Sequence, residues 1–201
     1  MRLVGRSVRS IRGKTVGVVI MNIIDLATAS EQVREQAAAL LVDGFSEPRG
    51  WTSLVAAREE VSQVSSRGFT CAIIEGEMLL GWVGGLSEYQ GRVWELHPIV
   101  VRKEYRRQGV GRALVEAFET EAGRRGGLTA TLGTDDDSGM TSLSDVNLYD
   151  DLPGHLAGLR DLGRGHPFLF YLKLGFVVTG VMPDANGPGR PDIYMSKPLR
   201  H

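Results

Sequence analysis

Arg106-Arg107-Gln108-Gly109-Val110-Gly111 joins a strand-like run, Trp94 to Val101, to a helix-like run, Gly111 to Arg125. In such a loop consecutive backbone N–H groups turn toward one point, and the start of the helix adds its positive dipole there. Glycines at 109 and 111 remove the side chains that would hold a phosphate away. Arg102, Lys103, Arg106, Arg107 and Arg112 surround the loop with positive charge. Two readings stand side by side: a pyrophosphate cradle, or a helix N-terminus under a solvated basic patch. The lysine and hydroxyl that follow the glycines in a nucleoside-triphosphate loop are missing, so a phosphate held here belongs to another kind of ligand.

Working outward, Met21 to Leu26 reads as a first strand. Thr28 or Ser30 caps a helix reaching about Val42, with Val33, Ala37, Leu40 and Leu41 at helical spacing. A second helix fits Ser53 to Ser66. Phe69 to Glu75 and Met78 to Ser87 form a hairpin about Gly76-Glu77. Pro98 interrupts the strand Trp94 to Val101, and a proline lacks a ladder donor, so a bulge or free edge is expected there. Leu128 to Gly133, Val177 to Val181 and Ile193 to Lys197 are further strands. A short helix spans Pro167 to Leu174 and ends at Gly175. Residues 134–165 read as one long polar loop, and loops of that length tend to be functional. The expected fold is mixed α/β, a mostly antiparallel sheet flanked by helices.

The chain has 201 residues, enough for one sizeable domain, here assigned to 21–201. Five of the 23 basic residues and none of the 24 acidic ones fall in 1–20, so residues 21–201 carry 18 basic against 24 acidic residues, a net −6. Residues 1–20 read as a basic extension, with Met21 as a candidate natural start. The acidic body argues against a nucleic-acid partner and suits a cationic small substrate. One cysteine, Cys71, excludes an internal disulfide and a cysteine-rich zinc site, and no metal is expected. No apolar run reaches the roughly 18–20 residues needed to cross a bilayer.

Three pieces in order, the interrupted strand ending at Val101, Arg106-x-x-Gly109-x-Gly111 and Tyr171-x-x-Leu174-Gly175-Phe176, resemble the GNAT acetyltransferases. The resemblance extends to the aminoglycoside 6'-N-acetyltransferases. It is carried by Tyr89, Trp94-Glu95-Leu96-His97-Pro98, Leu132-Gly133-Thr134-Asp135-Asp136, Leu148-Tyr149, His166-Pro167, Asn186-Gly187 and Pro191-Asp192-Ile193. The match is loose over residues 45–66, where those enzymes often place a Trp; Phe45 or Trp51 fills that place here.

The resemblance implies a cytoplasmic, homodimeric resistance enzyme that moves acetyl from acetyl-CoA to the 6'-amine of an aminoglycoside. Backbone N–H groups of Arg107, Gln108, Gly109, Val110, Gly111 and Arg112, beside Arg106, would hold the pyrophosphate. The pantetheine arm would follow Ile99, Val100 and Val101. Glu95 and His97, two apart on one strand, share a face. Glu95 takes the amine proton directly, through water, or binds the ammonium beforehand; binding is favoured, because an ordinary carboxylate is a poor base for an amine. His97 joins that chemistry or anchors the bulge. Tyr171 occupies the family's place for a donor to the departing thiolate, although its aromatic neighbours also suit a core residue. Asp135, Asp136 and Tyr149 match the subfamily's acceptor side, Asp137 joins them by charge, and Asp192 serves substrate or a subunit interface. Phe45, Trp51 and Tyr89 complete the expected acceptor wall. Other readings are a polyamine or protein amine acetyltransferase, and a non-catalytic acetyl-CoA-binding sensor.

Overall fold

In the computed structural model, residues 22–45 and 50–199 are described. The basic extension, 1–20, lies outside the described residues. The chain divides into two compact units, one through Leu128 and one from Thr129.

The first unit holds strands β1 (Asn22–Ile24), β2 (Gly68–Glu75), β3 (Met78–Glu88) and β4 (Val93–Val101), and helices α1 (Glu31–Gly44), α2 (Leu54–Arg67) and α3 (Val110–Arg124). The strands pair β1-β2-β3-β4, each antiparallel to the next. Of the two candidate caps for α1, Ser30 fills the place by accepting from Val33 N–H, and Ser53 caps α2 by accepting from Ala56 N–H. Both helices bury their apolar stripes in a core with Ala72, Leu79, Trp82 and Val100. The fully buried Trp82 satisfies its indole by donating to the Ala37 carbonyl at 3.1 Å. Helix α3 contributes Leu114, Val115, Phe118 and Ala122, all buried, and the Phe118 ring lies 5.6 Å from that of Phe69. Each fully buried aliphatic or aromatic side chain contributes about 1.5–3 kcal/mol. Cys71 is 2% exposed, and burial, with smaller contributions from Glu121 and Asp25, pushes its thiol up to about 12.

The second unit holds β5 (Thr129–Asp135), β6 (Val177–Met182) and β7 (Asp192–Pro198), with β7 pairing antiparallel to both others. Helices α4 (Leu152–Ala157) and α5 (Phe168–Leu172) accompany them. Leu132, Ile193, Met195, Phe168, Tyr171 and Phe176 are among its buried residues. The mixed α/β, mostly antiparallel reading holds. The stretch 134–165 departs from the expected plain loop. It contains α4, capped by Asp151 accepting from Gly154 N–H, and a bridge between Thr141 and Asp161. Among the described residues no helix is long and apolar enough to cross a membrane.

Candidate active site

The glycine loop begins where β4 ends. Arg106 donates through Nε to the Val101 carbonyl at 3.0 Å, and Gln108 folds back to donate to the Glu104 carbonyl. Arg102 is likewise engaged, with the Leu79 carbonyl and with Gln36 Oε1. These side chains build the turn, while Lys103, Arg107 and Arg112 stay exposed. Arg107 has φ 60° and Gly109 φ 90°. Gly109 is the N-cap of α3 with no side-chain cap, so the helix opens on backbone alone. A Cβ on Gly109 would meet nothing within 4 Å. The glycine is therefore required by its backbone angle rather than by space. The arrangement suits an anion approached by backbone N–H groups at the start of a 15-residue helix.

The bulge lies where Pro98 predicts it. Gly85 pairs with Leu96 and Val83 with Ile99, so three steps on β4 oppose two on β3. The His97–Pro98 peptide is cis. Gly84 makes room, since a Cβ there would lie 2.3 Å from the His97 carbonyl oxygen. Before the bulge Trp94 and Leu96 are buried, and Glu95 and His97 are partly open on the other face. After it the Val100 side chain enters the α1/α2 core, so that position offers only backbone.

His97 has company that residue spacing does not reveal. Its Nε2 stands 3.4 Å from Oε1 of Glu60, on α2, and its ring lies 6.2 Å from that of Trp51. Trp51 meets Phe45 edge-on at 5.1 Å. Trp51 thus lies beside His97, and Phe45 stands against Trp51. Tyr89 is 76% exposed on a turn in which Tyr89, Gln90 and Gly91 all have positive φ.

In the second unit, three neighbouring aspartates have separate fates. Asp135 and Asp137 are exposed. Asp135 sits opposite Asp192 in the β5–β7 register and accepts from Asn186 Nδ2. Asp137 accepts from Ser138 Oγ. Asp136 requires a correction. It is 0% exposed, and its carboxylate accepts from Met140 N–H, Thr141 N–H, Thr141 Oγ1 and Ser144 Oγ. Burial alone would raise its pKa, but the hydrogen bonds from Ser144, Thr141 and Met140 outweigh this and hold it below the usual carboxylate range. Asp136 braces the loop and has no free surface for a substrate. Tyr149, 76% exposed, borders a shallow cavity with Leu148, Pro183 and Asp184.

Tyr171, in α5, is 7% exposed, with Phe170 and Phe176 edge-on to its ring. Burial pushes its phenol pKa well up. His166, a motif residue with no role legible in sequence, is 1% exposed. It contacts the Asp135 carbonyl through Nε2 at 3.0 Å and accepts from Phe168 N–H at Nδ1 at 3.2 Å. Asp161 arranges this approach by accepting from the N–H groups of Gly163, Gly165 and His166. The run Asp161-x-Gly163-x-Gly165-His166 was the available signal for such a carboxylate-centred turn. Nothing in sequence signalled Glu60. Among the described residues no three His, Cys, Asp or Glu side chains group together as a metal would need.

The sequence model described as "Acetyltransferase (GNAT) family" matches residues 30–149. Among curated proteins, none matches the chain. Among solved structures, an aminoglycoside 6'-N-acetyltransferase complexed with coenzyme A is 33% identical, with TM-score 0.81 over 90% of this chain and 98% of that one. The aminoglycoside 6'-N-acetyltransferase from Enterococcus faecium is 34% identical, with TM-score 0.80 over the same shares. An aminoglycoside 6'-acetyltransferase type Ii is 31% identical, with TM-score 0.68 over 90% of this chain and 99% of that one. The resemblance drawn from the strand, the glycine loop and the Tyr171 motif holds: this chain belongs to the GNAT acetyltransferase family.

Proposed function

We propose that this protein transfers the acetyl group of acetyl-CoA to the 6'-amine of aminoglycosides, and so confers resistance to them. The observation that carries this is likeness to 6'-N-acetyltransferases across 90% of the chain at 33–34% identity, one of them holding coenzyme A. The exposed carboxylates of Asp135 and Asp137 fit a cationic acceptor.

The reaction joins an amine nitrogen to a thioester carbonyl carbon, breaks the carbon–sulfur bond, and releases a proton and a thiolate. A protonated amine has no lone pair to attack with, so the ammonium must first give up its proton. Glu95 holds the ammonium. His97, with Glu60 at its Nε2, receives the proton directly or through water. The loop from Arg106 to Arg112 binds the pyrophosphate through backbone N–H groups, and Ile99, Val100 and Val101 carry the pantetheine arm. Tyr171 donates to the departing sulfur. Phe45, Trp51 and Tyr89 supply flat apolar surface for sugar rings, with Tyr149 and Asp192 as further acceptor contacts.

The test is coenzyme A release from the purified protein with kanamycin, spermidine and an N-terminal peptide, each at equal concentration. Kanamycin is expected to give by far the highest kcat/KM, with the 6'-N-acetyl product identified by mass spectrometry and NMR. Kanamycin turnover no faster than buffer hydrolysis would overturn the reading.

A further inference from the structure

We propose that His166 is a positioning residue that keeps two parts of the second unit in register, the acidic end of β5 and the helical turn that carries Tyr171. The inference rests on the roles proposed above for Asp135 and Tyr171.

The hydrogen bonds fix the state of the ring. A ring nitrogen that accepts carries no proton, and Nδ1 accepts from Phe168 N–H. The single proton of the neutral ring therefore sits on Nε2, which donates to the Asp135 carbonyl at 3.0 Å. Both ring edges are engaged in a residue 1% exposed. The third tie is the backbone: His166 N–H donates to Asp161 Oδ1 at 2.7 Å. Phe168 is the first residue of α5, and Tyr171 follows three later, just under one helical turn. At the other edge, Asp135 ends β5, and its own carboxylate accepts from Asn186. One imidazole thus bridges a backbone carbonyl at the acceptor-side carboxylate and the backbone N–H that opens the helix carrying Tyr171. A phenylalanine would fill the same space and make neither bond.

Two isosteric variants separate the edges. In His166→Asn the amide oxygen replaces Nδ1, keeping the Phe168 bond and losing the one to Asp135. In His166→Gln the amide nitrogen replaces Nε2, keeping the Asp135 bond and losing the one to Phe168. H166N is expected to raise KM for the amine about tenfold with kcat little changed, and H166Q to lower kcat about tenfold with KM little changed. The constants are measured on whichever amine the wild type acetylates. Failure of the aminoglycoside reading then appears as absent kanamycin turnover by the wild type and leaves this comparison standing. If H166N and H166Q alter both constants alike, or neither, the assignment is overturned. A second measurement leaves His166 itself unchanged: ¹⁵N NMR of the imidazoles, with His166 assigned by elimination through variants of His97, His155 and His201. A neutral ring protonated at Nε2 is expected at pH 7, and a ring protonated at Nδ1 overturns the proposal.

Discussion

In the proposed mechanism, burial decides what kind of donor Tyr171 is. Its raised phenol pKa keeps the proton in place throughout the neutral range. A free thiol near 8.5 is the stronger acid, so a hydrogen bond to the leaving sulfur is the larger part of its help, rather than complete proton transfer. Tyr171→Phe is expected to lower kcat about tenfold to a hundredfold and to leave the Kd for acetyl-CoA, measured calorimetrically, near the wild-type value. Unchanged kcat in that variant would remove Tyr171 from the mechanism. At this scale the sequence was informative where chemistry follows from spacing. Glu95 and His97 share a face because strand side chains alternate, whereas Gly109, read as making space for a phosphate, is required by its positive φ. It misled at Asp136, because charge alone does not tell an aspartate facing water from one saturated by neighbouring N–H and O–H groups. Glu60 escaped notice because it meets His97 only once α2 packs on the sheet.

The element that differs most from expectation is the stretch between β5 and α5. Helices and strands announce themselves by periodic apolar residues, and their bounds here fall within one or two positions of those expected. The order in residues 136–166 comes instead from side chains capturing backbone groups, which leaves no periodic trace. Asp136 gathers Met140, Thr141 and Ser144, and Asp161 gathers Gly163, Gly165 and His166. Both carboxyls are held below their ordinary range, Asp136 by hydrogen bonds that outweigh burial and Asp161 chiefly by the His166 N–H. The unfolded chain therefore takes up protons first, and stability present above about pH 4 is lost as pH falls toward the folded values. His166 adds to the same slope from higher pH. Burial lowers its pKa, so below about pH 6.5 the unfolded form is protonated while the folded ring resists. Urea unfolding is expected to show stability falling steadily from pH 7 to pH 4. Asp136→Asn should cost about 1.5–3 kcal/mol at pH 7 and flatten the lower part of that slope. A pH-independent midpoint would refute this account.

Over the whole molecule, charge is the property that bears most directly on the proposed cationic substrate. Residues 21–201 carry a net −6, and no Lys or Arg lies between Gly126 and Leu159. Attraction of a polycation to such a surface is screened within about 10 Å at 0.1 M salt. KM for kanamycin is expected to rise several-fold between 0.05 and 0.5 M sodium chloride, with the KM for acetyl-CoA moving in the same direction only through the cradle's own positive charge. A kanamycin KM indifferent to salt would mean that the carboxylates act only by contact. The protein's lone sulfhydryl has a practical consequence of a different kind. Cys71 lies sealed in the first unit with its ionisation suppressed, so it offers almost no thiolate to an attacking reagent. A colorimetric disulfide reagent added to working enzyme will therefore count coenzyme A molecules released and nothing from the catalyst. The same reagent, with no substrates present, becomes a clock for opening of the fold.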